Sequence, residues 1–233
     1  MGVTILQPYL FQEGKGGITA IEYLTKRLIS MGAKQAGSFI VDCETIVSLS
    51  SSMPQPPSNK AVHILHNSEF PASTFSILDT GAKHIPLVAD NLFDLLMIKI
   101  GNVYTQKKQP SIESKGPRFE YGDFLIKLGS VTMNGNFKGI LIEFEYRPCI
   151  VFLNCWELMR ELIQGFLGIS ISSTYPQFFQ QQTLISGHQS LKQNDSFQAI
   201  DTINQYLEHF INYRKQTTSI GGSTQITGLP LRS

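Results

Sequence analysis

Between Asp123 and Tyr146 apolar and polar positions alternate along two segments separated by Asn134-Gly135-Asn136. An Asn-Gly pair tolerates the positive φ of a tight turn, so the pattern predicts a β-hairpin with arms 123–133 and 137–146. On the second arm Ile140, Ile142, Phe144 and Tyr146 share one face, and Glu143 and Glu145 share the other. One apolar, buried face and one solvated face are expected there. The first arm places Phe124, Ile126 and Leu128 on one side and Leu125, Lys127 and Gly129 on the other. Apolar residues on both sides predict a strand inside a sheet, with Lys127 the chief polar exception.

Period-two stretches also predict strands over 3–11, 37–47, 61–66, 74–78, 85–89 and 149–153, with 61–66 and 74–78 forming a second hairpin. Helical spacing appears four times. Thr19 and Glu22 form a capping box ahead of Ile21, Leu24, Leu28 and Met31, and Gly32 ends that helix. A second is read over 92–100, where period and length by themselves leave a strand open; Asp90 or Asn91 would cap it, with Leu92, Leu95, Leu96 and Lys99 on one side. Asn154 opens a third carrying Trp156, Met159, Leu162, Ile163, Phe166 and Leu167, ended by Gly168. Asp195 or Ser196 opens the last, with Phe197, Ile200, Ile203, Leu207, Phe210 and Ile211 apolar, and Arg214 and Lys215 placed to favour its C-terminal dipole. The segment 106–115 reads as a polar connector.

Short turns and the absence of a βαβ alternation make the fold α+β. An antiparallel β-barrel or sandwich of about eight to ten strands with covering helices is expected. The domain spans 1–216, with a mobile Ser- and Pro-rich loop at 48–60, a Gln- and Ser-rich loop at 169–194 and a disordered tail at 217–233.

Composition narrows the function. Hydrophobic residues make up 42% and charged residues 16%, and the net charge is +1, so no global field favours nucleic acid or a membrane surface. Cys43, Cys149 and Cys155 are too few and too scattered for a disulfide framework and read as reduced thiols in an intracellular protein. No apolar run approaches the ~20 residues that cross a bilayer. Glu13-Gly-Lys-Gly-Gly17 lacks the spacing of a phosphate loop and reads as a turn. His63 and His66 fall on opposite faces of a strand, which makes them a poor pair of metal ligands.

The most distinctive polar arrangement is Glu143-Phe-Glu145 on one strand and Asp42-Cys-Glu44 on another, each aiming two carboxylates at one side of a sheet. With Lys127, Arg118 and Arg147 nearby, such pairs could hold a divalent metal and a polyphosphate, giving Asp42, Glu44, Glu143 and Glu145 as metal ligands of a phosphohydrolase. The plainer reading makes them the solvated faces of half-buried strands. No nucleophile elbow, HExxH, Rossmann or zinc-finger spacing is present.

Several blocks, in order, carry a resemblance: Met1-Gly-Val-Thr4, Phe39-Ile-Val-Asp-Cys-Glu-Thr45, His66-Asn-Ser-Glu-Phe-Pro71, Phe93-Asp-Leu-Leu-Met-Ile-Lys99, Tyr121 to Met133 and Cys155-Trp156. They resemble the Mediator complex subunit 20 family, also called TRF-proximal protein. The resemblance implies a non-enzymatic nuclear subunit of the Mediator head module, a coregulator of RNA polymerase II. It implies pairing with Mediator subunit 18, a related barrel, and docking on subunit 8 and other head subunits, with no catalytic residue and no cofactor. The family barrel is similar to the tunnel of metal-dependent RNA triphosphatases.

Overall fold

The computed structural model describes residues 2–9, 17–48, 61–81, 83–100, 106–176, 179 and 196–220. The Glu13–Gly17 turn (except Gly17), nearly all of the 48–60 loop, most of the 169–194 loop and the tail after 220 lie outside them.

Among the described residues, nine antiparallel strands form one sheet. They are β1 (Val3–Tyr9), β2 (Lys34–Ser48), β3 (Ala61–Asn67), β4 (Ser73–Asp79), β5 (His84–Asp90), β6 (Gln106–Lys108), β7 (Ile112–Tyr121), β8 (Phe124–Met133) and β9 (Asn136–Tyr146). Their order is β1-β9-β8-β7-β2-β3-β4-β5, with β6 paired to β2 off this path. Among the described residues the helices are α1 (Gly17–Ser30), α2 (Phe93–Ile100), α3 (Phe152–Leu167) and α4 (Ala199–Ile220).

The β8–β9 hairpin turns at Asn134 and Gly135 with φ of 49° and 80°. Positive φ at both positions is the type I′ geometry whose twist suits the flanking strands. β6 and the first residues of β7 occupy the stretch 106–115 that reads as a polar connector. Gly116-Pro117 interrupts the β7 pattern, yet Gly116 is where β7 passes so close to the Leu128 carbonyl that a Cβ would collide with it. Pro8 is accommodated because β1 lies at a sheet edge.

The sheet is rolled. Thr4 on β1 and Asn67 on β3 line the same cavity of about 240 Å³. Five steps on the strand path separate β1 from β3, roughly 24 Å were the sheet flat. A cavity of that volume touches both only if the sheet curls into an open barrel.

Two main cores follow. On the convex side Val3, Ile5, Ile126, Leu128, Ile140, Ile142 and Phe144 pack beneath Leu24 and Leu28 of α1 and Trp156, Met159, Ile163 and Phe166 of α3. On the concave side Leu6, Phe39, Val41, Cys43, Leu65, Phe75, Val131 and Leu141 enclose Ile203, Tyr206, Leu207 and Phe210 of α4. The last helix is therefore inside the curl.

Several boundaries depart from the sequence pattern. α1 starts at Gly17, so Thr19 lies in its first turn and does not cap it. No strand forms over 149–153; the Val3 amide bonds the Cys149 carbonyl, and α3 begins at Phe152 after Val151, without a side-chain cap. Phe152 stacks on Phe179 at 3.6 Å and packs on Trp156, which draws residues ahead of Asn154 into the helix. α4 starts at Ala199, where the Asp201 carboxylate accepts the Gln198 amide at 2.8 Å, and it continues through 217–220. In α2, Phe93 and Met97 face the sheet against Ile46, Val62, Ile64 and Leu78, whereas Leu92, Leu95 and Leu96 point outward.

Candidate functional site

β9 does not have a solvated face. Its odd positions turn into the curl, where Leu141 is 1% and Glu143 2% exposed. The partner that makes this tolerable is Lys127, opposite Glu143 in the β8–β9 register and also 2% exposed. Lys127 Nζ donates to Glu143 Oε1 at 2.9 Å, and the Tyr206 hydroxyl of α4 donates to Oε2 at 2.6 Å. Burial, reinforced by the Glu143 charge, raises the Tyr206 phenol well above its ordinary pKa, so it stays protonated and remains a donor. Lys127 also lies 5.6 Å from the centre of the Phe39 ring.

The surrounding charges are engaged in turn. Arg118 Nη1 bonds both Glu69 oxygens at 2.8 and 2.9 Å, and its Nε donates to the Ala36 carbonyl. Glu69 is 4.0 Å from Lys127. Glu145 Oε1 accepts the Gly2 amide at 2.7 Å, and Arg147 pairs with Glu120 at 3.0 Å. Three cations, Arg118, Lys127 and Arg147, and three carboxylates, Glu69, Glu143 and Glu145, thus share the wall of the 240 Å³ cavity. The set is balanced in charge.

Two further anchors tie α4 to the barrel. Gln205 clamps the β1 backbone, accepting the Leu6 amide at 3.1 Å and donating to the Thr4 carbonyl at 2.9 Å. Arg214 donates to Thr45 Oγ1 at 2.7 Å and to the Cys43 and Pro110 carbonyls. It therefore serves the opposite wall of the barrel rather than the end of its own helix. The Thr45 hydroxyl, which accepts from Arg214, also shares a hydrogen bond of 2.9 Å with His63 Nδ1.

Asp42 and Glu44 are elsewhere. The β2 register places Val41, Cys43 and Thr45 inward, so Asp42 and Glu44 emerge on the convex face under α2. There His66 bridges Asp42 and Asp94 of α2, at 2.9 Å each. The structure brings Glu143, Glu145, Lys127, Arg118 and Arg147 together and separates them from Asp42 and Glu44 by the thickness of the sheet. Among the described residues, no group of three His, Cys, Asp or Glu side chains is arranged to hold a metal ion.

Tyr206, Gln205 and Glu69 complete the site without having stood out in the sequence. Tyr206 continues the spacing of Ile203, Leu207 and Phe210 and was findable as a buried position; Glu69, in a turn, carries no periodic signal.

The two histidines give stability a pH optimum. Burial, with Arg214 adding to it, lowers His63 to about 4. Its stabilising neutral state is fully favoured above its unfolded value of ~6.5 and is lost as pH falls toward 4, up to about 3 kcal/mol in all. The Asp42 hydrogen bond chiefly raises His66 to about 9, so its contribution is complete below ~6.5 and disappears as pH rises through 9. Because both His66 pairs are more than a third exposed, that contribution is at most ~1 kcal/mol. Urea midpoints between pH 4 and 10 should fall on both limbs, and His66→Gln should flatten the alkaline limb only. An unchanged alkaline limb in that variant would contradict the assignment.

The family profile described as TATA-binding related factor (TRF) of subunit 20 of Mediator complex matches residues 1–211. Mediator of RNA polymerase II transcription subunit 20 of Aedes aegypti is 64% identical over 220 residues, covering 94% of this chain and 98% of the relative. The Drosophila melanogaster protein of that name is 56% identical, covering 95% and 90%, and the human one 37% identical, covering 93% and 96%. With its whole barrel inside the matched region, this chain belongs to the Mediator subunit 20 family.

Proposed function

We propose that this chain is a non-enzymatic subunit of the Mediator head module, acting in the nucleus on transcription by RNA polymerase II through protein–protein contacts. It pairs directly with Mediator subunit 18, docks with subunit 8 and the other head subunits, and reaches the polymerase machinery through them. Family membership over residues 1–211 is the observation that carries this reading. The interior supports it: α4 occupies the concave face where a barrel enzyme would admit substrate, and Glu143 is already committed to Lys127 and Tyr206.

A phosphohydrolase built on Asp42, Glu44, Glu143 and Glu145 would need those carboxylates around one metal. They lie on opposite faces of the sheet, so no second reading is favoured.

The test is size-exclusion chromatography with light scattering on this chain and subunit 18, mixed with and without excess manganese. A one-to-one complex that ignores manganese is expected. Failure to co-elute would overturn the pairing, and saturable manganese binding abolished by Glu143→Gln with Glu145→Gln would overturn the non-enzymatic reading.

A further inference from the structure

The two edges of the sheet are finished differently. At β1, the Val3 amide is capped by the Cys149 carbonyl, and Pro8 removes another donor. At the other end of the path β5 pairs with β4 on one side and, among the described residues, with nothing on the other. Its sequence, His-Ile-Pro-Leu-Val-Ala-Asp, carries charge-bearing residues only at its two ends, and all of its side chains but Ala89 are exposed. Soluble proteins guard such edges with charges, bulges or covering elements, because a bare apolar edge is a template for another strand.

The surface beside it is also apolar. Seven of the sixteen large apolar side chains exposed among the described residues lie between Ile85 and Ile98. The β4–β5 register puts Ile85 opposite Leu78 and Leu87 opposite Ser76, on the convex face where α2 lies. α2 spends Phe93 and Met97 on the sheet and turns Leu95, Leu96 and Ile98 outward, at 56, 50 and 72% exposure, with Leu92 just ahead of the helix at 61%. With Ile85 and Leu87, the exposures of these six residues add up to about 3.4 fully exposed apolar side chains, on the order of 400 Å² of apolar surface at most. A standard interface buries ~800 Å² per partner, of which a little over half is apolar. The patch can thus supply most of the apolar part of one side of a standard interface, and it is of the size that marks an interaction site on a monomer.

We propose that β5 and the outer face of α2 form one docking surface for a different polypeptide, which adds an extended, uncharged, apolar strand to β5 and covers α2 with its apolar side chains. Main-chain hydrogen bonds along β5 supply affinity, and the alternating contacts with Ile85, Leu87 and α2 supply register and selectivity. A second copy of this chain is the poorer occupant. Pro86 sits at the middle of β5 and presents its donorless side outward, as proline does on an edge strand. Two copies paired through β5 would place two such gaps in one seven-residue ladder, whereas a heterologous strand meets only one. This surface deepens the interaction reading above and rests on it only for the existence of a Mediator partner.

The experiment is affinity purification of the tagged full chain from cells, with every co-purifying Mediator subunit quantified. Three variants are compared with wild type: Ile85→Lys with Leu87→Lys, Leu95→Lys with Ile98→Lys, and, on the exposed side of α1, Ile18→Lys with Ile29→Lys. The altered side chains are about half exposed or more, so all three variants should melt within a few degrees of wild type. The first two should lose at least tenfold in recovery of one and the same subunit, the α1 variant should not, and amides 84–90 should exchange more slowly in the purified assembly than in the free chain. Folded β5 and α2 variants that recover every subunit as wild type does would overturn the proposal. So would a dimer of the free chain that Leu87→Lys dissolves. If wild type recovers Mediator without subunit 18, the pairing proposed above fails while the surface is still judged by whichever subunit the variants lose.

Discussion

Glu143→Ala is expected to lower stability by about 3–5 kcal/mol, because it leaves the Lys127 ammonium and the Tyr206 hydroxyl buried without their acceptor. For a domain whose total stability is about 5–15 kcal/mol, that is a large fraction. The pair is not a source of net stability in itself. Removing two charges from water costs nearly as much as their attraction returns, so the loss on mutation is mainly the penalty of the orphaned partner. The triple variant Lys127→Met, Glu143→Leu, Tyr206→Phe should therefore recover most of the loss. Urea unfolding of the single and triple variants checks both statements. A single variant within ~1 kcal/mol of wild type would mean that the site relaxes or admits water.

Shortening the chain to end at Asn194, which removes α4, is expected to abolish cooperative unfolding. Ile203, Tyr206, Leu207 and Phe210 are each 2% exposed or less. At ~1.5–3 kcal/mol for each buried apolar side chain, their loss alone comes to roughly 6–12 kcal/mol, comparable with the whole stability of a domain. The truncation also uncovers Phe39, Val41, Leu65 and Phe75 on the barrel wall and releases the Gln205 clamp on β1. Near-ultraviolet circular dichroism should flatten while far-ultraviolet signal persists, and a hydrophobic dye should bind, the signature of a compact state without fixed packing. The milder Phe210→Ala, at ~3–5 kcal/mol, tests the same contact in a chain that still folds. A truncated chain that melts cooperatively near the wild-type temperature would show that α4 rests on a core able to stand without it.

The parts of the fold legible in the sequence are those decided within a few residues. Asn134-Gly135 fixes a turn through backbone sterics alone, and the period-two runs on either side need no knowledge of their neighbours. The stripes of α1 and α3, and Gly32 and Gly168 beyond their ends, are of the same kind. β7 was hidden because Gly116-Pro117 breaks its period, and only the proximity of the Leu128 carbonyl explains the glycine. The interior site is half legible: strand alternation marks Glu143, Glu145 and Lys127, while Arg118 and Arg147 stand out only as cations close by in the chain. That alternation alone could not show that the face they share is closed by a helix arriving about sixty residues later.

Asp42 and Glu44 lie where alternation along single strands decides nothing. Alternation says that two carboxylates on a strand share a face; it cannot say that this face and the Glu143–Glu145 face are opposite sides of one sheet, because that depends on the phase of each strand along the path through the β2–β7 and β7–β8 pairings. The same holds for α2, whose leucines look like an inward stripe until Phe93 and Met97 are seen taking that place.

Taken by itself, the sequence determined the antiparallel α+β class, the central hairpin, the helix stripes and the membership signal, since each is encoded in local periodicity, turn chemistry or contiguous blocks of residues. Only the tertiary structure decided the roll of the sheet, the place of α4 inside it, the Lys127–Glu143–Tyr206 cluster and the β5 edge left without a strand partner among the described residues. These depend on which distant segments meet, and that is settled by register and packing across the whole chain.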